Sequence, residues 1–467
     1  MTRVLIGNDF SEDARTDRGW TGWWVQRLAW FAREGDVLVL PVAPEADFLA
    51  YVTALTEVPA DSLRAVVPPP GATGTGTLSP DRLADPVFLR ELREAIGNRR
   101  VTEVFPLWPD VPVARLVREL GIGAALPGYG FVDQAGGLLL NSKSAFRAIA
   151  GGAGVPVPQG TVGTSAEAVE PTVLELLALG HPAIVKHDFL SGGHGNEILN
   201  SSGPVRPVGA RRVVEVRDRD EVRAYLADRW EWLTGGGRSR PVVERYYRDS
   251  SAYFAEFLIS DAGIRLTGTG ELLSAPYAVG QIMPAVGLEP HTFERLVELG
   301  RRLCEPLHAL GYRGTLGADA IVTPDGEVLF TEYNGRVTGS THIYGVIGEQ
   351  VVGPGYGEDR VILERVWPEG WSVPSFAAAV ERLAATGTGW NPGTRTGVVL
   401  TNAFDGEHGV MYCIVAADLD DAWARDAALK DVFGAQASPA AAPTLHLADP
   451  PGTTVAATTA ALPGGRA

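Results

Sequence analysis

Cysteine is almost missing from this chain: Cys304 and Cys413 are the two in 467 residues, and they lie far apart. That excludes a disulfide framework and a CxxC metal site. Positive charge is also short. Forty Lys and Arg against 56 Asp and Glu leave a net charge of -16, with no basic cluster, so the surface cannot supply the phosphate contacts of a nucleic-acid binder. Long apolar runs are absent too. Val4-Leu5-Ile6-Gly7, directly behind Met1-Thr2-Arg3, is strand-length and too short for a signal peptide or a membrane span. These absences make a reducing cytoplasm the expected compartment, with neither nucleic acid nor membrane as partner.

What is present is enough apolar material, 45% of residues, to build more than one core, and a chain of this length exceeds what one core usually supports. Val4 to Asp9, a helical stretch near Trp23 to Arg33, and Asp36 to Pro41 read as strand, helix, strand, the start of a doubly wound α/β domain. Pro68 to Gly76 is a loop by composition, and Val101 to Pro106 resumes the sheet. The expected first domain is 1–140. From Asn141 the pattern changes: Ser144 to Ala150 is helical and Val155-Pro156-Val157-Pro158 is extended. Pro182 to Lys186 is a buried-strand pattern ending in a cation, followed at once by Ser191-Gly192-Gly193-His194-Gly195-Asn196.

A lobe over 141–240 is expected, then a second over 241–355 that begins at Pro241-Val242-Val243-Glu244. Within it Gly317 to Val322, a turn at Pro324-Asp325-Gly326, and Val328 to Glu332 form a hairpin bearing two acids. A small α+β unit is expected over 356–435, with strands at Gly397 to Thr401 and Met411 to Val415. The Ala-, Pro- and Thr-rich residues 436–467 read as a loose tail.

The hairpin carries the chemistry. Asp319 on its first strand and Glu332 with Asn334 on its second bring three oxygen donors together, the hard set that magnesium prefers. Period two on a strand puts Glu332, Asn334 and Arg336 on one face. A single acid near a β-turn is usually a solvated carboxylate; Glu-x-Asn-x-Arg at a strand end is harder to explain so. Arg336, with a planar guanidinium, suits a carboxylate and then an acyl phosphate. Asp13 to Trp20, with Trp23 and Trp24, follows the first strand, where open α/β sheets place ligands; core tryptophans at a helix start are the more common explanation.

Lys143, Lys186 with its glycine loop, Glu244, and the set Asp319, Glu332, Asn334 and Arg336 occur in the order and spacing of ATP-grasp enzymes. The chain resembles that superfamily over roughly residues 130 to 355, behind a domain like the Rossmann-like pre-ATP-grasp domain. The fold implied is therefore α/β and α+β: that first domain, a two-lobed ATP-grasp fold and a small C-terminal α+β unit. Ile6 to Phe10, the Gly339-Ser340-Thr341-His342 loop and the added C-terminal unit look most like the pheganomycin-type peptide ligases.

The resemblance implies that Lys143 and Lys186 contact nucleotide phosphates, that Ser191, Gly192, Gly193 and Gly195 bring backbone N–H groups to them, and that Glu244, Arg245 and Tyr246 form the adenine-reading hinge. Asp249 is the choice for the ribose. Asp319, Glu332 and Asn334 would hold magnesium, with manganese as a substitute, and Arg336, Ser340, Thr341 and His342 would line the substrate pocket.

The implied reaction is ADP-forming: ATP activates a carboxylate, expected to be that of an amino acid, as an acyl phosphate, and an amine of a peptide or amino acid displaces the phosphate. Substrates are small molecules or peptides, and a homodimer is compatible with the family. The alternatives are an ATP-grasp kinase acting on a hydroxyl and a non-catalytic nucleotide-binding protein. A dinucleotide oxidoreductase fits worse, because no GxGxxG turn follows Ile6.

Overall fold

The structure, a computed structural model, describes residues 1–9, 21–406 and 409–434. The Asp13 to Trp20 cluster and the tail expected over 436–467 lie outside them. Three sheets organise the rest. In the first, β1 (Thr2–Ile6), β2 (Val37–Val39), β3 (Arg64–Val66) and β4 (Val101–Pro106) lie in the order β3-β2-β1-β4, and all neighbours are parallel.

β1 is apolar from Val4 to Ile6 because both its faces are covered, as parallel strands require, and it is buried throughout. Helices Pro86–Ile96 and Val111–Glu119 each start on an aspartate cap, Asp85 or Asp110, with proline in the first turn, which fixes where they begin. The order reverses at β1, whose neighbours β2 and β4 lie on opposite sides. The crevice at the carboxyl ends of β1 and β4 is where such sheets receive ligands. Asn8 and Trp108 close its floor: Asn8 Nδ2 donates to the Trp108 carbonyl at 2.7 Å, and the Trp108 amide donates back to Asn8 Oδ1 at 3.2 Å.

The second sheet has the order β5-β9-β6-β7-β8, from β5 (Gly160–Val162), β6 (Ala183–Lys186), β7 (Asn196–Asn200), β8 (Val213–Glu215) and β9 (Val242–Arg245). Helices Ala166–Ala178 and Arg219–Leu233 bury Val169, Val173, Leu226 and Leu233 against Val185, Leu199 and Val243. β9 thus pairs within this sheet and not with the strands that follow it, so the passage between the lobes comes after Arg245 and not at Pro241.

The third sheet is antiparallel and eight-stranded, in the order β14-β13-β10-β11-β12-β15-β17-β16. Its strands are β10 (Ser251–Ser260), β11 (Gly263–Ser274), β12 (Ala278–Met283), β13 (Gly314–Val322), β14 (Val328–Asn334), β15 (Val361–Arg365), β16 (Gly397–Leu400) and β17 (Tyr412–Ala416). Helix Pro290–Ala309 turns Leu296, Leu299, Leu303 and Leu307 inward, one apolar stripe at helical spacing.

The strands after residue 355, expected to form a unit of their own, extend this sheet through β15 paired to β12. Without them β12 would present a bare row of backbone groups. Their outer layer also completes the first domain: Trp30, Phe48 and Val52 share a core with Ile362, Val399 and Ile414. Trp30 Nε1 donates to the Thr401 carbonyl at 2.9 Å. No described helix is long and apolar enough to cross a membrane.

Candidate active site

β13 and β14 form the expected hairpin, turning through Thr323 to Glu327 with Gly326 at φ +85°. Asp319 and Glu332 are direct cross-strand partners, and a bulge separates that pair from Ala320 opposite Phe330. A bulge re-aims the side chains beside it, and here two carboxylates end up side by side. Asn334 completes the row, its Nδ2 donating to Asp319 Oδ2 at 3.0 Å. Burial and the neighbouring Glu332 charge push the Asp319 carboxyl well above its ordinary value. Burial works in the same direction on Glu332, but Lys143 and Lys186 prevail and hold it down.

Arg336 lies past the end of β14, so the strand alternation expected to carry it onto the face of Glu332 and Asn334 stops one step short. Its amide turns back to the Asn334 carbonyl at 3.0 Å. Nη1 donates to Asn334 Oδ1 and, at 3.0 Å, to Asn141 Oδ1. The guanidinium lies over the Trp108 ring, 4.2 Å from its centroid. The hairpin's arginine therefore closes onto the crevice of the first sheet. Gly335 makes this approach: a Cβ there would sit 2.5 Å from Leu140 Cβ.

Lys143 opens helix Lys143–Gly152, capped by Ser142. Its Nζ donates to the Leu190 carbonyl at 2.7 Å and pairs with Glu332 Oε2 at 3.0 Å. Lys186 ends β6, and its ammonium meets Glu244 Oε2 at 2.5 Å, while Arg147 Nη1 takes Glu244 Oε1 at 2.5 Å. Glu244 is thus a buried counter-ion between two cations. Asp188, which sequence reasoning missed, ties the Ser144 amide at 2.8 Å and Ser142 Oγ at 3.0 Å to the root of the glycine loop.

Gly192 and Gly193 take φ +64° and +86°, open to glycine without strain. The His194 ring stacks on Tyr277, 4.2 Å between centroids, so the loop spans from the second sheet to the β11–β12 turn of the third. The amide of Gly209 reaches the same turn, at 2.8 Å from the Pro276 carbonyl. Ser191 and Gly195 lie on this loop. Arg245 ends β9 and Tyr246 follows it, with the Tyr246 amide bonded to the Pro182 carbonyl at 2.8 Å. Asp249 is exposed on a turn at φ +58°.

Ser340, Thr341 and His342 point inward. Thr341 Oγ1 and Thr338 Oγ1 each donate at 2.6 Å to Glu256, Tyr344 donates to it at 2.5 Å, and Ser340 Oγ donates to Gln281 Oε1 at 2.6 Å. Glu256 is wholly buried on β10 and anchors the loop behind Arg336. Burial raises its carboxyl, against the lowering by these hydroxyls. Its signal was readable: an acid inside Tyr253-Phe254-Ala255-Glu256-Phe257-Leu258 needs partners once that run is a central strand. Burial and Arg27 hold His342 well below its ordinary value.

The donors at the hairpin fit a magnesium ion. Among the described residues no three His, Cys, Asp or Glu side chains gather to hold a metal; the set is two carboxylates and an amide. Magnesium commonly takes one or two carboxylates and fills its shell with water and phosphate oxygens. A divalent cation would relieve the Glu332 repulsion that adds to burial in raising Asp319.

The fold matches ATP-grasp folds with a pre-ATP-grasp domain in front. Residues 25–122 match the family model described as the Pre ATP-grasp domain, and residues 378–429 match the one described as the PGM1 C-terminal domain. Phosphoribosylamine–glycine ligase of Nostoc sp. is 26% identical over 282 residues. That match covers 57% of this chain and 61% of the relative, so the chain spans about three-fifths of the length of the curated relative it matches.

Among solved structures, the biotin carboxylase of Campylobacter jejuni in complex with β,γ-ATP superposes with a TM-score of 0.57 at 16% identity, covering 92% of this chain and 91% of that one. The L-amino acid ligase of Bacillus licheniformis does so with a TM-score of 0.51 at 14% identity, covering 93% and 98%.

Proposed function

We propose that this protein is an ADP-forming carboxylate–amine ligase. The observation that carries the reading is the Asp319–Glu332 carboxylate pair, set between Lys143 and Arg336 where the hairpin meets the crevice of the first sheet. It is supported by the relatives' names, which include a phosphoribosylamine–glycine ligase and an L-amino acid ligase, and by a neighbour bound to β,γ-ATP.

In this reading the nucleotide lies between the second and third sheets. Lys143 and Lys186 face its phosphates, Ser191, Gly192, Gly193 and Gly195 cover them with backbone N–H groups, and Glu244, Arg245 and Tyr246 border the adenine. Asp249 keeps its proposed place by the ribose. Asp319, Glu332 and Asn334 would hold magnesium, or manganese in its place, which when bound neutralises charge on the phosphates. Arg336 binds the substrate carboxylate and orients it toward the γ-phosphate, and its charge serves the acyl phosphate next.

A carboxylate oxygen forms a bond to the γ-phosphorus as the bond to the bridging oxygen of ADP breaks. The amine nitrogen then bonds to the acyl carbon, inorganic phosphate leaves, and the amine's proton passes to solvent. Ser340, Thr341 and His342 back this pocket. The finer reading is a peptide ligase of specialised metabolism, pheganomycin-like and cytoplasmic, acting on small-molecule or peptide substrates.

A panel of amino acids and peptides assayed for ATP consumption tests the class. ADP with phosphate is expected, and AMP with pyrophosphate would overturn it. Hydroxylamine should trap an acyl hydroxamate from ATP and the acid; phosphorylation of a hydroxyl without hydroxamate would instead make the protein a kinase.

A further inference from the structure

The loop after Arg336 is held at each residue. The Val337 amide bonds to the Leu107 carbonyl, next to the Trp108 ring on which the Arg336 guanidinium lies. A Cβ on Gly339 would come within 3.6 Å of the Trp24 ring. Thr338 and Thr341 bond to Glu256, and the turn is also tied to itself: the Thr338 amide donates to Thr341 Oγ1 at 2.8 Å and the Ser340 amide to Thr338 Oγ1 at 3.1 Å. A shift of Ser340 is therefore passed to Thr338, two residues from Arg336.

Ser340 itself is tied to the C-terminal strands. Its Oγ donates at 2.6 Å to Gln281 Oε1 on β12, and Gln281 Nε2 donates at 2.5 Å to Glu364 Oε2 on β15, the residue opposite Gln281 across the ladder. All three side chains are buried. The direction of the relay is set from its far end. Glu364 Oε2 accepts, whether in a carboxylate or as the carbonyl oxygen of a neutral acid, so it turns the Gln281 amino group toward itself and leaves the amide oxygen facing the Ser340 hydroxyl.

Stability alone does not account for an acid at this position. Glu364 is 3% exposed, and among the described residues Gln281 provides its side chain's one hydrogen bond, Oε1 having no partner. A buried carboxyl with an unpaired oxygen destabilises the fold. An apolar side chain would extend the run of Ile362 and Leu363 at less cost. The use of Glu364 therefore lies at the other end of the relay, where Ser340 sits in the loop that carries Arg336.

The geometry points to Glu364 as a positioning residue: through Gln281 and Ser340 it fixes the loop that sets Arg336, so that a C-terminal strand, beyond the ATP-grasp-like stretch of residues 130 to 355, takes part in placing the acid to be activated. The role of Arg336 in this rests on the ligase reading above. Glu256 holds the two threonines of the loop from β10, and Glu364 holds its serine from the far side of β11 and β12.

The test is a double-mutant cycle in the full chain, Glu364→Leu with Ser340→Ala, read on acid-dependent ADP release. Glu364→Leu removes the acceptor at similar size and should lower kcat/KM for the acid on the order of tenfold with the KM for ATP unchanged. Glu364→Gln, which keeps an oxygen for Gln281 Nε2, should stay within about threefold of the parent. In the Ser340→Ala background Glu364→Leu should lower kcat/KM no further; additive losses, or equal losses for the two replacements of Glu364, overturn the relay. Should Glu364→Leu fail to fold, Gln281→Leu cuts the same relay at its middle and takes its place in the cycle. Hydrogen–deuterium exchange on the free protein gives a readout that needs no substrate: amides of residues 338–341 should exchange faster in Glu364→Leu and Ser340→Ala while those of β13 do not change. Unchanged exchange in the loop overturns the relay whatever the turnover, whereas faster exchange in a protein that releases ADP with no acid keeps the relay and overturns the ligase reading.

Discussion

At the scale of single residues, the carboxylate pair and the buried Glu364 make opposite demands on charge. Glu332 is kept ionised by Lys143 and Lys186, so replacing it removes a metal ligand and leaves a lysine without its partner. Glu332→Ala should reduce ATP consumption to background while circular dichroism stays native; turnover retained in that variant would refute the metal assignment.

Glu364 is pushed up to about 8 by burial, against Gln281 and Arg27. A carboxyl whose folded value is raised stabilises fully below its ordinary value and loses that contribution as pH rises through the folded one. Free protein should therefore lose up to about 1.4 kcal/mol per pH unit between roughly pH 5 and 8. The groups facing it do not share that window: Arg27 stays charged, His342 is held neutral, and burial raises the Cys413 thiol. Urea midpoints of the parent and Glu364→Gln across that range should diverge, the variant showing the flatter profile.

How far these residues could be read from sequence follows from where their partners are. Glu332, Asn334 and Arg336 are chain neighbours, and Asp319 reaches them through a turn spelled Pro324-Asp325-Gly326. Arg27 and Glu364 come together only because distant segments fold together, and Glu364, followed at once by Arg365, lacks the apolar residues on both sides that mark Glu256.

At the scale of elements, the end of β14 decides what Arg336 can do. Were the strand to continue, the arginine would share the face of Glu332. Instead the Gly335 amide bonds to the Leu140 carbonyl at 3.0 Å and the Val337 amide to the Leu107 carbonyl at 3.0 Å, which draws the chain off the sheet and toward the first domain. A methyl group on Gly335 would collide with Leu140. Gly335→Ala should cost roughly 1–3 kcal/mol by overpacking, read as a lower denaturation midpoint, and should lower kcat by displacing Arg336 from Trp108; an unchanged kcat would show that the approach is not needed for turnover.

Period-two alternation announced the strand but not its end, because the reason to stop lies in Leu140 and Leu107, outside the hairpin. The helix starts were easier: Ser142, Asp85 and Asp110 are capping residues, and a cap acts within three residues of itself.

At the scale of the molecule, the third sheet joins what composition separated. The residues after 355 read as a unit of their own in sequence, yet β15, β17 and β16 add to the edge of β12 and share a core with Trp30 and Phe48. Hydropathy tells that a strand exists and which face it buries; it does not say which edge it will choose. A chain ending at Gly355 should lose the layer that covers helix Val25–Phe31 and leave β12 unpaired. Such a truncation is expected in the insoluble fraction, and a soluble monomer with native near-UV dichroism would count against the shared core.

The pairing of β12 with β15 also sets an order of events during synthesis. Residues 29 to 52 emerge early, but the core they share with residues 254 to 356 is completed only by residues 361 to 433, so part of the first domain's apolar surface stays uncovered until then. Such long-range closure is slow, and exposed surface in the interval invites association. The N-terminal part of this protein is therefore expected to need shielding from association until its last strands arrive.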